Sequence, residues 1–323
     1  MKICEPEYYS KFKCIADRCS DTCCKLWQVE LDSDAFLLLN EIKNSDDFSD
    51  IKIKGKNSRA VILPCKNGDC PFLEKSLLCG LYKKVGHDRL PLTCQLYPRF
   101  FNTFGGYEER GLSFSCPTAA DLIFKNGLEF NEILNDDPIT SFTDVNAERF
   151  IVVKEIRDYL IDWVKLSELT LSELIGSILE YAKAVSDLLS NARYAEASDL
   201  KLSNIGSFSY SEKLFKRTVN LHLRNIILRD NWKLILKSAS YNIDRDNINY
   251  FKIWFCYFVY RYLIRSAGEL DFEAVIKSAI ISYFLISRIG EDQKLSMQLY
   301  SKETEHNKRN IDRLFSFSKK IKF

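Results

Sequence analysis

Cys14-Ile-Ala-Asp-Arg-Cys19-Ser-Asp-Thr-Cys23-Cys24 places four thiols within eleven residues. Five more follow at Cys65, Cys70, Cys79, Cys94 and Cys116, and Cys4 precedes them. Ten of the eleven cysteines therefore fall in the first 116 residues, and the rest of the chain holds only Cys256. This distribution points to a cysteine-ligated metal or iron–sulfur centre built by the N-terminal third. The expected fold is mainly α, with an irregular cysteine-rich N-terminal metal-binding subdomain and a C-terminal helical bundle. The expected division is a cluster-binding region over 1–125 and a helical domain over 147–323.

The 323 residues are 46% hydrophobic and 28% charged, enough apolar content to bury a core. A net charge of +2 gives no basic stripe, so nucleic acid is not an expected partner. The N-terminus lacks an apolar run of signal-peptide length. The apolar stretches 253–259 and 279–286 fall far short of the ~20 residues needed to span a bilayer. A cytoplasmic protein is expected, and in a reducing compartment clustered cysteines serve metal or redox chemistry more often than disulfides.

Outward from the first cysteines, Tyr8, Tyr9 and Phe12 read as an ordered lead-in. Trp27, Val29 and Leu31 alternate as in a short strand, and Asp32 or Ser33 is placed to cap a helix. Residues 44–60 read as a loop or weak hairpin. Gly68 and Pro71 mark turns in the second cysteine block. Strands are expected around Gly105-Gly106, and Pro117 is placed to open a helix. The polar stretch 125–146 contains Pro138 and marks a boundary. Beyond it the period becomes helical, and Thr170-Leu-Ser-Glu173 has capping-box form. Later helical runs are expected over 212–237, 247–266, 272–289 and 294–316.

Thiolates are soft ligands suited to zinc or iron–sulfur clusters, each usually held by about four of them. Eight thiols suffice for two centres, or for one centre with structural thiols beside it. The spacings match no common zinc finger. The adjacent pair Cys23-Cys24 is distinctive, because neighbouring side chains rarely bind one metal together. Cys256 lies in Trp-Phe-Cys-Tyr-Phe and reads as a core thiol. His87, His222 and His306 are far apart in sequence.

Several ordered pieces resemble the flagellin lysine-N-methylases (FliB type), within a broader cysteine-cluster group of zinc- or iron-chelating proteins. They are Pro6-Glu7-Tyr8-Tyr9-x-x-Phe12-x-Cys14, Cys19-x-Asp21-Thr22-Cys23-Cys24-x-x-Trp27, Cys70-Pro71-Phe72-Leu73 and Leu78-Cys79. Thr93-Cys94-x-x-Tyr97-Pro98-Arg99 and Leu112-Ser113-x-Ser115-Cys116-Pro117 follow. The resemblance covers about residues 4–125. Gly111 and Thr118 depart from it, standing where the family often has Ser and Glu.

The resemblance implies methyl transfer from S-adenosylmethionine to side-chain amines of flagellin lysines, with an iron–sulfur cluster of 4Fe–4S type and zinc as the alternative. It also implies the ligand set Cys14, Cys19, Cys23, Cys24, Cys70, Cys79, Cys94 and Cys116, with Cys65 outside the pattern. A lysine amine has an ordinary pKa near 10.4 and must lose a proton before it attacks. Glu109 and Tyr97 are the candidate catalytic groups. Arg99 is a candidate for the donor's carboxylate and Trp27 for its sulfonium. Each has a structural reading beside it: pairing with an arginine for Glu109, core packing for Tyr97 and Trp27, and neutralisation of thiolates for Arg99. No glycine-rich loop of the usual methyl-donor type is present. A non-catalytic zinc- or iron-binding module and an electron-transfer protein are the competing readings.

Overall fold

The computed structural model describes residues 2–42, 51–55, 60–134, 145–202, 206–227, 229–243 and 245–323. The first 134 residues carry the strands and four short helices: β1 (Lys2–Pro6), β2 (Val29–Glu30), α1 (Ser33–Ile42), β3 (Ile53–Lys54), β4 (Val61–Ile62), α2 (Gly80–Val85), α3 (Leu92–Leu96), β5 (Arg99–Phe104), β6 (Tyr107–Leu112), α4 (Pro117–Asn126) and β7 (Phe130–Leu134). The remainder is helical: α5 (Ala147–Leu166), α6 (Leu171–Ser190), α7 (Tyr194–Asp199), α8 (Glu212–Leu223), α9 (Asp230–Ser238), α10 (Ile248–Tyr262), α11 (Phe272–Ile289), α12 (Gln293–Thr304) and α13 (Lys308–Lys319). The protein is thus mainly α, as its periodicity requires. No helix among the described residues is long and apolar enough to cross a membrane.

Several local expectations hold. Asp32 caps α1, its Oδ1 accepting from the Ala35 amide at 2.9 Å. Pro117 opens α4, and Thr170 with Glu173 closes a capping box on α6. Gly105-Gly106 turns the β5–β6 hairpin. Other expectations are corrected. The ordered lead-in holds, with Tyr8, Tyr9 and Phe12 buried, but the strand ahead of it was not foreseen: β1 lies inside the sheet β5-β6-β1-β7, parallel to β6 and antiparallel to β7. β7 forms within the stretch expected to be a boundary, much of which (135–144) lies outside the described residues. The hairpin expected over 44–60 is described only in part, where β3 pairs with β4. The runs 212–237 and 294–316 each break into two helices. Asn307 supplies the second start, its side chain accepting from the Arg309 amide at 3.0 Å.

One large core joins the sheet to the helices. Tyr8, Phe12, Phe114 and Ile123 pack into it together with α10 and α11, whose residues are buried almost all round. Tyr260 of α10 donates to the Cys4 carbonyl (3.2 Å) and the Arg110 carbonyl (2.9 Å), tying the helices to β1 and β6. A second, smaller core under the later cysteines is built by Val29, Leu31, Leu39, Ile62, Phe72 and Leu81, among others. The first cysteine loop lies against the large core and the second block stands on the small one.

Candidate functional site

Cys14 and Cys19 flank a short turn over Ala16–Arg18, and the Ala16 amide donates to the Cys14 sulfur at 3.4 Å. The loop that follows is clamped by the helical body. Both carboxylate oxygens of Asp21 accept from Arg229 at 2.5 Å, and Asp21 lies 3.1 Å from the Lys302 ammonium. Lys302 also donates to the Thr22 carbonyl at 3.0 Å. Gln298 donates to Asp21 Oδ2 (2.6 Å) and to the Ser115 carbonyl (3.0 Å). One amide therefore ties the loop to the residue preceding Cys116. Burial would raise the Asp21 carboxyl, but Arg229, Lys302 and Gln298 outweigh it and hold it below the usual range.

The second block is laced by main-chain bonds. The Cys70 amide donates to the Cys24 carbonyl at 2.8 Å, and the Leu26 amide to the Gly68 carbonyl at 2.7 Å. Gly68 has φ +85°, a conformation that only glycine adopts freely, and it turns the chain back between Cys65 and Cys70. Leu73 and Cys79 form an isolated bridge, and the Cys79 sulfur caps α2 by accepting from the Tyr82 amide at 3.4 Å. Cys94 rides on α3, which is held by Asp32 accepting from the Leu92 amide (2.7 Å) and by Thr93 donating to the Glu30 carbonyl (3.2 Å).

All eleven thiols are free. Their fields show which stand together. Burial pushes the Cys70 thiol up to about 12, and Cys24, Cys79 and Cys65 are near enough to add to it. Cys94 is an exposed residue whose thiol is turned inward; it is raised by burial and then by Cys70, Cys24 and Cys79. Burial raises Cys116 to about 11, with Cys19 and Cys14 adding. A hydrogen bond from Cys23 favours the thiolate of Cys24 and raises Cys23. Among the described residues, no three side chains of His, Cys, Asp or Glu converge on a point that would hold a metal ion.

Between the first loop and the helices lies an aromatic recess. Trp27 meets Tyr97 (ring centroids 5.3 Å apart) and His306 (4.8 Å), both edge-on. The Trp27 indole donates to the Cys23 carbonyl at 2.5 Å. Lys25, Leu26, Arg229 and Lys302 complete a space of about 10 Å³, room for one water. His306 Nε2 has no hydrogen-bond partner there. Burial, with help from Arg261 and Lys302, lowers the imidazole to about 3, so it is neutral at pH 7. Tyr97 bonds Ser115 Oγ at 3.2 Å. Its phenol is raised far above the usual value by burial and then by Cys116, and it stays protonated. A larger cavity of about 250 Å³ lies elsewhere, against α4 and α10, and none of the candidate residues lines it.

No family model matches the chain, and no solved structure is significantly similar to it. Three curated proteins are similar. Flagellar biosynthetic protein FliU of Salmonella muenchen is 30% identical over 131 residues, which cover 38% of this chain and 78% of that protein. The chain belongs to the FliU and lysine-N-methylase family. The lysine-N-methylases of Salmonella typhimurium and Salmonella choleraesuis are also 30% identical over 131 residues, but the match spans 33% of their length.

Within this FliU and lysine-N-methylase relative, Trp27 and Tyr97, candidates for two different roles, stand in edge-on contact in one recess. Two candidates lie apart from the recess. Glu109 is fully buried on β6, where it accepts from Arg157 (2.5 Å) and Tyr107 (2.9 Å), the pairing its structural reading names. Arg99 stacks its guanidinium over Tyr9 (5.5 Å) and Phe12 (5.1 Å). His87 is exposed beside Asp88. Sequence reading noted His306 without giving it a role and did not find Lys302, Gln298 or Arg229. They sit about 200 residues or more from the loop they hold, inside ordinary amphipathic or polar stretches whose order carries no motif.

Proposed function

We propose that this chain transfers methyl groups from S-adenosylmethionine to lysine amines of flagellin, with a cysteine-ligated iron–sulfur cluster beside the acceptor. The kinship with a flagellar protein and two lysine-N-methylases carries the reading, and the Trp27–Tyr97–His306 recess next to the thiols supports it. The donor set suits the cluster, since every candidate ligand is a free, soft thiol. Cys14, Cys19, Cys23, Cys24, Cys70, Cys79, Cys94 and Cys116 would hold it. When bound, the centre would supply a rigid anionic crosslink that favours a cation nearby.

The chemistry asked of the protein's own residues is positioning. The acceptor nitrogen must arrive as a neutral amine, and the cations Arg229 and Lys302 lining the recess disfavour the ammonium form. With its proton on Nδ1, His306 accepts a hydrogen bond at Nε2 and orients the amine's lone pair. The lone pair forms the new N–C bond as the C–S bond of the sulfonium breaks and its electrons return to sulfur. The proton of the methylated ammonium leaves to solvent, because an imidazole lowered to about 3 retains it poorly. The face of Trp27 attracts the sulfonium. Glu109, committed to Arg157, serves the fold.

One observation favours a second reading. The recess has room for only one water, which suits a non-catalytic zinc- or iron-binding module that never admits a methyl donor. Calorimetric titration of the metal-replete chain with S-adenosylmethionine separates the two. Saturable binding that weakens at least tenfold in Trp27→Ala supports the methylase. Absence of binding by folded, metal-replete protein selects the module.

A further inference from the structure

Two basic side chains, Lys165 and Lys252, border the cavity of about 250 Å³ against α4 and α10, which the proposed chemistry leaves unused. Asn249, Lys252, Ile253 and Cys256 line it at three- and four-residue steps and so share one face of α10. Ile123 and Gly127 line it from α4 and its end, with Leu128 just beyond. Its deeper wall is apolar. Ile123, Leu128 and Cys256 are buried, and burial raises the Cys256 thiol to about 12, so it stays uncharged. Gly127 adds no bulk to the wall, and a Cβ there would meet no atom within 4 Å.

Main-chain carbonyls hold both ammoniums in place. Lys252 donates to the Ser167 carbonyl at 2.6 Å and to the Lys165 carbonyl at 3.3 Å, at the end of α5. Lys165 donates to the Leu128 carbonyl at 3.1 Å and to the Glu129 carboxylate. An ammonium has three donors, so each lysine has one left for a ligand. Glu129 balances the charge of Lys165, whereas among the described residues no carboxylate pairs with Lys252. Hydrocarbon walls thus meet one uncompensated cation. A bare inorganic anion would leave the walls wet. A plain hydrocarbon would strip water from the Lys252 ammonium and return no hydrogen bond. A carboxylate on a short apolar body satisfies both. A cavity of about 150 Å³ holds benzene, so one of about 250 Å³ takes about ten non-hydrogen atoms, the size of octanoate.

We propose that this cavity binds a medium-chain monocarboxylate, its chain against Ile123, Leu128, Ile253 and Cys256 and its carboxylate on Lys252. The site shares no residue with the aromatic recess, so the inference is independent of methyl transfer and of any metal.

Calorimetric titration of the full chain with octanoate, kept below its micelle concentration, tests the proposal. Octanamide serves as the neutral isostere and acetate as the anion without a chain. Octanoate should bind saturably, one molecule per chain. Octanamide and acetate should each bind at least about tenfold more weakly. Octanoate should lose as much affinity for Lys252→Met, which keeps an apolar stem and loses the charge. Absence of saturable octanoate binding by the wild type overturns the proposal. Equal affinity for octanamide or for acetate overturns it too, because the cation or the walls would then select nothing, and this comparison needs no variant to fold. Unchanged octanoate affinity in a Lys252→Met protein whose circular dichroism matches wild type places the ligand elsewhere and likewise overturns it. A methyl-transfer assay, positive or negative, alters none of these results.

Discussion

Asp21 shows how one residue joins distant parts of the chain. Its carboxylate is shared by Arg229, Lys302 and Gln298, so Asp21→Ala would leave the buried Lys302 and the half-buried Arg229 facing each other. The expected loss is about 3 kcal/mol, read as a shift in the urea midpoint; a wild-type midpoint would remove the clamp from the account. His222 gives a pH dependence. It is fully buried beside Tyr300 (3.3 Å), and burial lowers it to about 3. The unfolded chain therefore takes up this proton first, near pH 6.5, and stability falls as pH drops from there toward 3. At pH 5 the cost is about 2 kcal/mol. The difference in unfolding free energy between pH 7 and pH 5, measured by urea titration, should shrink by about that amount in His222→Asn. Both residues were visible in the sequence. Their partners were not, because neither an ion pair across 208 residues nor a hydrogen bond across 78 leaves a local pattern.

Among the elements, those with local chemistry were legible. The capping box of α6, the Pro117 start of α4 and the Gly105-Gly106 turn depend on neighbours within a few residues. The strands β1 and β7 were not legible, since Lys2–Pro6 and Phe130–Leu134 are short and acquire their state by pairing with each other. The break within 212–237 was hidden because apolar residues run on through it at Leu223, Ile226 and Ile227, whereas the break within 294–316 falls in the wholly polar run 301–310 and was open to reading from Asn307. Gly111 on β6 shows what pairing demands. A Cβ there would strike the Phe100 ring from β5. Gly111→Ser should thus cost about 1–3 kcal/mol, measured by thermal unfolding, although serine is often the family's residue at this position. An unchanged midpoint would mean that Phe100 is free to turn away.

Across the whole molecule, two cores of unequal size carry two different tasks. The large one is filled by Trp254, Tyr257, Phe258 and Tyr283, all at most 1% exposed, and its existence was legible from the apolar period of the last 180 residues or so. Trp254→Ala should cost about 3–5 kcal/mol. The small core has few buried residues and stands directly beneath the second thiol block. Chelation of the metal-replete protein should therefore leave helical circular dichroism nearly intact while residues 65–90 become open to protease; helix loss in step with metal loss would contradict this. The cysteine clustering and the aromatic pair Trp27 and Tyr97 were readable as motifs. His306, which completes the recess from between α12 and α13, was readable only in three dimensions. The measurement that tests the account most directly is mass spectrometry of flagellin from the same organism after incubation with S-adenosylmethionine and the metal-replete chain, purified without oxygen. The account predicts methylated lysines, and far fewer with Trp27→Ala. Flagellin left unmodified by a folded, metal-loaded protein would contradict it.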